Sequence, residues 1–347
     1  MKLLVSALEH SANVHLTSLT KEFKGDVELI GIFDKNLGEP IVDLQSLAIM
    51  GIVDALKKLR YFFKLADEMV DLAKEADKVL LIDSSGFNLP LAKKIKKKYP
   101  DKEIIYYILP QAWAWKKKRI PVLARTIDKL ASILPFEPSY YPEDAPIKYV
   151  GHPLLDQITE FKDELNAEIK RVAFMPGSRK GEIKKLMPIY KELIGEIDAE
   201  PTIIIPKHFS SEEIEELYGD LSEINISHEA HSTLLNSDFA FICSGTATLE
   251  AAIIGVPFIL TYIAKPLDFF IGAKLFNIKD VGLSNIMFKK FKGKSIHPEF
   301  LQENVTKEKL LDAYKKYDRN LFLTHAKELR EYLQHGSSVN VAKLIIN

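Results

Sequence analysis

The chain has 347 residues, of which 47% are hydrophobic and 27% are charged, so it can bury a substantial core and is not disordered. Lys and Arg total 47 and Asp and Glu total 48, a balance that argues against a dedicated nucleic-acid-binding protein. The one cysteine, Cys243, excludes an internal disulfide and a cysteine-rich zinc site. This length favours two domains.

Segments typical of strands and helices alternate in the first half of the chain. We predict strands at 2–7, 27–33, 78–83, 103–109, 130–134 and 147–150, and helices at 52–74 and 89–98. The apolar residues of the first helix define a core face that consists of Ile52, Leu56, Leu59, Phe63, Ala66, Val70 and Ala73. The alternation predicts an α/β protein with a parallel sheet covered by helices on both faces.

A break at Gly151-His152-Pro153 and a polar stretch at 161–170 indicate a domain boundary. We therefore predict one domain at 1–160, joined by a C-terminal helix at 336–347, and a second domain at 161–335. The second domain repeats the pattern, with strands at 171–175, 202–205, 239–243 and 258–263 and helices at 183–197, 246–254 and 320–334. Two doubly wound, Rossmann-like domains of this kind would face a central cleft lined by strand C-termini.

The stretch 171–182, RVAFMPGSRKGE, carries the first candidate site. An apolar strand ends before Gly177, which provides the free dihedral angles of a tight turn, and a helical pattern starts after Ser178 and Arg179. The first amides of such a helix have no backbone partner and attract anions, and a guanidinium suits phosphate oxygens. An ordinary turn with an exposed arginine is the simpler interpretation.

A second strand-to-helix turn occurs in SGTATLE, at 244–250. The amides around Ser244, Gly245 and Thr246 form another candidate phosphate site. Glu250 lies one turn further along the same helix face, where a carboxylate can bind the two hydroxyls of a ribose. The alternative is that Glu250 only compensates the helix dipole.

Polar residues also follow two strands of the first domain. Asp83 ends the strand predicted at 78–83, which makes it a candidate general base, although capping of the next helix is the role that the sequence alone favours. Asn88 is placed either to cap that helix or to bind substrate. Because Glu9 and Ser11 follow the first strand in the same way, several polar groups converge on one edge of the sheet.

We predict neither a metal nor a cofactor. No two aspartates have the D-x-D spacing that holds a divalent ion against a diphosphate, and His228 and His231 are expected to be solvated in a polar loop. A leaving diphosphate would instead be stabilised by amides, a helix N-terminus and Arg179.

No segment is predicted to cross a membrane. The longest mostly apolar run, at 251–264, is interrupted by Gly255 and Pro257 and is too short, and the N-terminus is not typical of a signal peptide. The basic run at 116–119 adjoins Trp113 and Trp115, a combination that suits a membrane interface as well as an ordinary solvated face. We expect a cytoplasmic protein, either soluble or peripherally associated with a membrane.

Five motifs, in one order, resemble the signatures of the lipid-A-disaccharide synthases, which are inverting glycosyltransferases with the two-domain GT-B fold. The motifs are LAIMGIVDAL (47–56), PQAWAWKKKR (110–119), VGHPL (150–154), PGSR (176–179) and SGTATLEAAIIGVP (244–257). The resemblance runs over nearly the whole chain, and the combination is much more specific than any single motif.

The resemblance implies that UDP-2,3-diacylglucosamine is joined to 2,3-diacylglucosamine 1-phosphate (lipid X), with release of UDP and formation of a β-1′,6-linked disaccharide. Asp83 matches the family base for the acceptor hydroxyl, and Arg179 matches the arginine at the donor diphosphate. Glu250 matches the ribose-binding glutamate and Asn285 an asparagine near the nucleotide. Both substrates are acylated, so contact with the cytoplasmic face of the inner membrane is implied.

The implied sites divide between the two domains. The predicted UDP-binding residues of the C-terminal domain are Gly177, Ser178, Arg179, Ser244, Gly245, Thr246, Glu250 and Asn285. The predicted acceptor-binding residues of the N-terminal domain are Glu9, Ser11, Asn88 and Trp113, beside the base Asp83.

The chain departs from the family pattern mainly on the acceptor side. Its first loop, 8–13, reads LEHSAN where the family has Gly-Glu-x-Ser-Gly-Asp. After Asp83, Ser85 and Gly86 replace a proline and a second aspartate. Leu109 replaces a serine, and Ser284 replaces a proline before Asn285.

Two other interpretations remain open from the sequence. One is a related GT-B enzyme that uses UDP-GlcNAc, either a transferase with a different acceptor or an epimerase. The other is a hinge-closing solute-binding protein with the same coarse architecture. The absence of a signal peptide and the nucleotide-type turns argue against the second.

Overall fold

The computed structural model describes residues 1–42, 55–264 and 280–347. The chain forms two units, one made of Met1–Asp156 with Leu333–Asn347 and the other of Gln157–Tyr332. The N-terminal unit is therefore completed by the last residues of the chain. The motif at 47–56 and the start of the helix predicted at 52–74 fall almost entirely outside the described residues.

Within the described residues, six parallel strands form the sheet of the N-terminal unit, in the order β2-β1-β3-β4-β5-β6. The strands are β1 (Lys2–Ser6), β2 (Glu28–Ile32), β3 (Lys78–Ile82), β4 (Glu103–Tyr107), β5 (Lys129–Ser132) and β6 (Ile147–Tyr149). Successive strands are added to opposite sides of β1, so the topological switch point lies between β1 and β3. Open α/β sheets bind their ligands at the carboxyl ends of the strands beside such a point.

Helices cover both faces of this sheet. They are α1 (His10–Thr20), α2 (Ala55–Leu72), α3 (Ser85–Lys98), α4 (Ala112–Trp115), α5 (Ile120–Thr126), α6 (Pro153–Gln157) and, near the C-terminus, α14 (Ser337–Ile346). One-turn 3-10 helices lie at Lys35–Leu37, Lys117–Arg119 and Glu137–Tyr140.

The core of this unit has two layers because neighbouring residues of a strand point to opposite faces. Val79 and Leu81 of β3 belong to the layer that includes residues of α2, α3 and α5. Leu80 and Ile82 belong to the layer that includes residues of α1 and α14. Both faces of β3 are thus covered, which accounts for its continuous apolar run.

Two helix predictions for this unit need correction. The buried face of α2 includes Leu65 and Met69, whereas Phe63, which we placed on the core face, is 55% exposed. The helix predicted at 89–98 begins at Ser85, so Ser85 and Gly86 belong to its first turn and not to a loop. Pro90 lies in the second turn of α3, where it has no amide to donate to the Gly86 carbonyl oxygen.

The C-terminal unit contains a second parallel sheet, whose six described strands have the order β12-β11-β10-β7-β8-β9. They are β7 (Arg171–Met175), β8 (Glu200–Ile204), β9 (Asn225–Ser227), β10 (Phe239–Cys243), β11 (Phe258–Tyr262) and β12 (Glu299–Leu301). The switch point of this sheet lies between β7 and β10. The sequence did not predict the three-residue strands β9 and β12 at its edges.

The helices of this unit are α7 (Lys180–Ile194), α8 (Ser211–Tyr218), α9 (Ala230–Asn236), α10 (Ala247–Ile254), α11 (Leu283–Lys292), α12 (Lys307–Lys315) and α13 (Arg319–Leu333), with a 3-10 turn at Gln302–Asn304. Helix α7 starts directly after Arg179, as predicted. No helix in the described ranges is long and apolar enough to cross a membrane.

The C-terminal segment joins the N-terminal unit at the VGHPL motif. Gly151 has a φ of +95°, and a Cβ at this position would lie 3.0 Å from the His335 carbonyl oxygen. The His152 amide donates to the carbonyl oxygen of Gln334 at 3.1 Å. The Asp156 carboxylate accepts from the amides of Gly336 and Ser338, at 2.7 and 2.8 Å, and so stabilises the start of α14. The motif therefore has a structural function in this unit.

Candidate active site

Asp83 lies at the carboxyl end of β3, on one side of the switch point of the N-terminal sheet. Its amide donates to the Tyr107 carbonyl oxygen at 3.1 Å, which extends the sheet by one residue. The backbone then turns through the left-handed region, with φ of +51° at Asp83 and +41° at Ser84. Aspartate visits this region more readily than most residues, and such strain is concentrated at functional sites.

A buried asparagine holds this turn in place. Asn88 Nδ2 donates to the carbonyl oxygens of Ile82 and Asp83, at 3.1 and 2.9 Å, and its Oδ1 accepts from Ser6 Oγ at 2.6 Å. Tyr106 Oη also donates to the Asp83 carbonyl oxygen, at 2.7 Å. Asn88 is 0% exposed and both ends of its amide are engaged, so in this structure it supports the turn at Asp83. A direct contact of Asn88 with the acceptor remains a prediction.

The surroundings of Asp83 suit a proton acceptor. Burial raises the pKa of its carboxyl group, the nearby Glu9 carboxylate raises it further, and a hydrogen bond from the Ser84 amide opposes both effects. Glu9 follows β1 and accepts a hydrogen bond from Ser84 Oγ at 2.9 Å. The structure therefore brings Glu9 and Asp83 together across the switch point. A base is most effective when its pKa is moved toward the working pH.

The other two predicted acceptor residues lie elsewhere in this unit. Ser11 is exposed in the first turn of α1. The Trp113 ring packs edge-on against Phe136, with centroids 5.0 Å apart, and lies 5.9 Å from the ring of Tyr140. Trp113 Nε1 is buried without a hydrogen-bond partner in the described part of the chain. Contact of Ser11 or Trp113 with the acceptor remains a prediction.

In the C-terminal unit, the turn after β7 requires glycine. Gly177 has a φ of +105°, and a Cβ there would lie 2.6 Å from Glu182 Oε2 and 3.2 Å from Cys243 Sγ. The loop after β7 therefore packs closely on the end of β10, its neighbour at the switch point. Burial raises the pKa of the Cys243 thiol to about 12, so this cysteine is an unreactive packing residue.

Arg179 precedes the first turn of α7. Its Nη1 lies 3.1 Å from Glu182 Oε1, with the arginine side chain 80% exposed and the glutamate 13% exposed. An exposed ion pair is worth less than about 1 kcal/mol, so a stronger anion can displace Glu182 from the guanidinium. The amides of Ser178 and Gly181 have no acceptor within the described residues. Such amides, beside an exposed guanidinium, form a candidate anion site.

The turn after β10 presents a second set of amides. Gly245 has a φ of +145°, and a Cβ at this position would have no atom within 4 Å. Thr248 Oγ1 donates to the Gly245 carbonyl oxygen at 2.8 Å, which fixes the turn before α10. The amides of Gly245 and Thr246 have no acceptor in the part of the chain that the structure describes. Both anion sites thus lie beside the switch point of this sheet.

Glu250 has a partner that the sequence did not identify. Burial raises the pKa of its carboxyl group, and His231 acts in the opposite direction. His231 Nδ1 lies 3.8 Å from Glu250 Oε1, and this residue belongs to helix α9 and not to a solvated loop. The two side chains come from neighbouring helices, so only the fold brings them together.

Asn285 is 1% exposed and is engaged at both ends of its amide. Its Oδ1 accepts from the amides of Ile296 and His297, at 2.8 and 3.2 Å, and its Nδ2 donates to Glu299 Oε1 at 2.7 Å. The Glu299 carboxylate also accepts from the amides of Val281 and Gly282. Asn285 and Glu299 therefore fix the start of α11. A direct contact of Asn285 with a nucleotide remains a prediction.

Among the residues that the structure describes, no group of three or more His, Cys, Asp or Glu side chains is arranged to hold a metal ion. The polar chemistry of both sheets consists of amides, carboxylates and single cations.

Comparison with known proteins identifies the family. Residues 3–341 match the family model described as lipid-A-disaccharide synthetase. The lipid-A-disaccharide synthase of Helicobacter pylori (strain ATCC 700392 / 26695) is 44% identical over 353 residues, covering 98% of this chain and 96% of that protein. The enzyme of the same name from Campylobacter jejuni (strain RM1221) is 44% identical over 363 residues, covering 99% and 98%.

Solved structures agree on the fold. Acinetobacter baumannii MurG has a TM-score of 0.61 at 14% identity and covers 99% of both chains. The calicheamicin glycosyltransferase CalG4 has a TM-score of 0.60 at 11% identity, covering 99% of this chain and 97% of the other. The UDP-GlcNAc 2-epimerase of Methanocaldococcus jannaschii has a TM-score of 0.60 at 14% identity, covering 100% and 99%. The predicted GT-B fold is confirmed.

The family model and the relatives cover nearly all of the chain, including both units and every described motif. The resemblance inferred from the five motifs is therefore confirmed. The chain belongs to the lipid-A-disaccharide synthetase family of glycosyltransferases.

Proposed function

We propose that this protein joins UDP-2,3-diacylglucosamine to 2,3-diacylglucosamine 1-phosphate and releases UDP and the β-1′,6-linked disaccharide 1-phosphate. The observation that carries the proposal is the family match over residues 3–341. The geometry supports it, because the candidate acid–base group and the candidate anion sites each lie at a switch point, where open α/β sheets bind ligands.

The N-terminal unit binds the acceptor in this proposal. The acceptor 6-hydroxyl oxygen attacks C1 of the donor sugar, and its proton passes to the Asp83 carboxylate. Burial and the Glu9 charge raise the pKa of Asp83 and so strengthen it as a base. Asn88 and Tyr106 hold the backbone of Asp83, so the carboxylate is positioned before the acceptor arrives.

The C-terminal unit binds the donor. As the new bond forms, the bond from C1 to the diphosphate oxygen breaks and its electron pair leaves with UDP, so the configuration at C1 inverts. The amides near Ser178 and Gly245 and the Arg179 guanidinium stabilise the departing diphosphate without a metal ion. Glu250 binds the ribose hydroxyls.

Both proposed substrates carry acyl chains and reside in a membrane, so we place the protein in the cytoplasm, in peripheral contact with the inner membrane. One feature of the N-terminal unit supports such contact. Phe63 of α2 is 55% exposed, and Lys94 Nζ lies 5.6 Å from the centre of its ring. An apolar ring beside a cation suits the headgroup region of an anionic bilayer. Co-sedimentation with anionic vesicles, weakened by Phe63→Ser, tests this.

The alternative of a different UDP-GlcNAc-dependent transferase or an epimerase rests on structural likeness alone, at 14% identity or less for the solved structures above. The solute-binding alternative gains no support from any relative described here. The synthase reaction is therefore the function that the observations support best.

The reaction is tested by incubating the purified protein with both diacylated substrates and a chelator and measuring the disaccharide by mass. We expect product with the chelator present. Asp83→Asn should lower turnover by about 10²–10⁴-fold, since an amide cannot accept the proton. Its melting temperature should not fall, because asparagine tolerates a left-handed φ and removes a buried charge. UDP binding without any disaccharide would contradict the proposed acceptor.

A further inference from the structure

A pocket of about 220 Å³ lies in the N-terminal unit at the first turn of α3, next to the candidate base. It is lined by Ser85, Gly86, Leu89, Pro90, Lys93, Arg119 and Val122. Two of these side chains are cations, and none is an acid. None of the roles assigned above uses this pocket.

Both cations lack an acidic partner in the part of the chain that the structure describes. Arg119 Nη1 donates to Ser85 Oγ at 3.3 Å, a long contact with a neutral hydroxyl. On α3, the neighbouring lysines 94, 96 and 98 are each paired with an aspartate, at 2.6 to 2.8 Å, whereas Lys93 is not. Two positive charges that border one cavity without a counter-ion favour an anionic ligand.

The first turn of α3 adds donors at the same place. The amides of Ser85 and Gly86 have no acceptor among the described residues, because Ser84 directs its hydroxyl to Glu9 and does not cap the helix. A Cβ at Gly86 would meet no atom within 4 Å, so a ligand can approach this backbone closely. Neither Ser85 nor Gly86 carries a carboxylate that could compete for these donors.

The pocket adjoins the candidate base. Ser85 is two residues beyond Asp83, and the Tyr106 hydroxyl that donates to the Asp83 carbonyl oxygen is also within the electrostatic reach of Arg119. A group bound by Arg119 and the first turn of α3 would therefore lie in the neighbourhood of Asp83.

We propose that this pocket binds a phosphate monoester and that, given the function proposed above, the ester is the 1-phosphate of the acceptor. Arg119 provides a planar pair of donors to the phosphate oxygens, Lys93 a second charge, and the Ser85 and Gly86 amides the remaining hydrogen bonds. The phosphate then orients the sugar so that its 6-hydroxyl lies at Asp83. Arg119 is a specificity-determining residue in this arrangement, because an acceptor without the phosphate leaves it unpaired.

The test compares two acceptors, 2,3-diacylglucosamine with and without its 1-phosphate, in the wild type, Arg119→Gln and Lys93→Gln. Loss of a charge-assisted hydrogen bond should raise the KM for the phosphorylated acceptor about tenfold to a hundredfold, with the donor KM unchanged. For the unphosphorylated acceptor, wild type and variants should have the same KM. Lys97→Gln is the matched control, since Lys97 lies on α3 but does not line the pocket, and its KM values should match the wild type.

Equal increases in KM for both acceptors in Arg119→Gln, or an increase of the same size in Lys97→Gln, would overturn the proposal. A second measurement separates it from the overall reaction. Glucosamine 1-phosphate, which is soluble, should shift the amide NMR signals of Ser85 and Gly86 in the wild type but not in Arg119→Gln. If these shifts occur in a protein that forms no disaccharide, the proposed reaction is refuted and the proposed phosphate site is supported. If the shifts are absent in a protein that forms the disaccharide, the proposed phosphate site is refuted and the proposed reaction is not.

Discussion

At the scale of single residues, the candidate sites of the two units contain charged side chains that each have one close polar neighbour. Asp83 lies near Glu9, Arg179 is paired with Glu182, and Glu250 is close to His231. Each neighbour changes the charge or the availability of the residue that we expect to contact substrate. The neighbours are therefore as informative as the predicted residues.

Glu9 should set the pH dependence of the reaction. Its negative charge disfavours ionisation of Asp83 and so raises the pKa of that carboxyl group. Glu9→Gln keeps an acceptor for the Ser84 hydroxyl but removes the charge, so the pKa of Asp83 should fall. The acid limb of the kcat/KM profile should move to lower pH. Glu22→Gln, a substitution of an exposed glutamate, is the control and should leave the acid limb unchanged. An acid limb that does not move in Glu9→Gln would contradict the role of Asp83 as the base.

Arg179 should affect turnover and not folding. Arg179→Ala removes one donor to the leaving diphosphate, which should lower kcat by about 10²–10³-fold. The lost ion pair is exposed and worth about 1 kcal/mol or less, so the melting temperature should barely change. Arg125→Ala, on the exposed side of α5, is the control and should retain activity. A large loss of thermal stability in Arg179→Ala would rule out this assignment.

The sequence indicated the strand-to-helix turns of the two candidate anion sites but not the partners of the predicted residues Asn285 and Glu250. Gly177 and Gly245 follow continuous apolar strands, a local pattern that is visible in the chain. Glu299 and His231 reach the site from distant segments, and nothing in their immediate sequence marks them. The burial of Asn88, which lies on α3, was missed for the same reason, because its partner Ser6 lies on β1, 82 residues earlier in the chain.

At the scale of elements, the central strands were predictable and the edges were not. Strands such as β3 and β10 are buried on both faces, so their apolar runs are unbroken. Strands β9 and β12 have three residues each and lie at sheet edges, where few positions need to be apolar. Helix α1 was missed because its sequence, HSANVHLTSLT, is rich in polar and β-branched residues.

The joint at Gly151 should be sensitive to a single methyl group. In Gly151→Ala, the Cβ would crowd the His335 carbonyl oxygen and the Ser337 amide in addition to the unfavourable φ. We expect a loss of roughly 1–3 kcal/mol in the free energy of unfolding, measured by urea titration. Gly25→Ala is the matched control, since Gly25 has a φ of +90° but no atom within 4 Å of the added Cβ. Equal losses in the two variants would show that crowding contributes nothing.

At the scale of the whole molecule, buried histidines make stability depend on pH. Burial lowers the pKa of His15 to about 4 and the pKa values of His152 and His297 to about 3. These groups favour the folded state fully above the pKa of an unfolded histidine, near 6.5, and this stabilisation is lost as the pH falls toward the folded pKa. Glu137 acts in the opposite direction, because burial raises its pKa to about 7.

The contribution of His297 can be isolated by substitution. Its ring packs at 37° to that of Phe258 and its Nε2 is hydrogen-bonded to Ser284 Oγ, so His297→Gln should destabilise the protein at neutral pH. Between pH 7 and 5 the wild type should lose about 2 kcal/mol of unfolding free energy through this histidine, and the variant should not show this loss. The difference in unfolding free energy should therefore shrink on acidification. A constant difference would contradict the low pKa of His297.

The return of the C-terminal segment to the N-terminal unit constrains the order in which the chain can mature on the ribosome. Val341, Ala342 and Ile345 of α14 belong to a core layer of the N-terminal unit, and Lys78 and Lys129 donate to the carbonyl oxygens at the end of α14. That layer cannot close until the last helix has emerged. The C-terminal unit is continuous, so it can finish folding first, although it is synthesised second. The unit that is synthesised first is therefore the unit that finishes folding second.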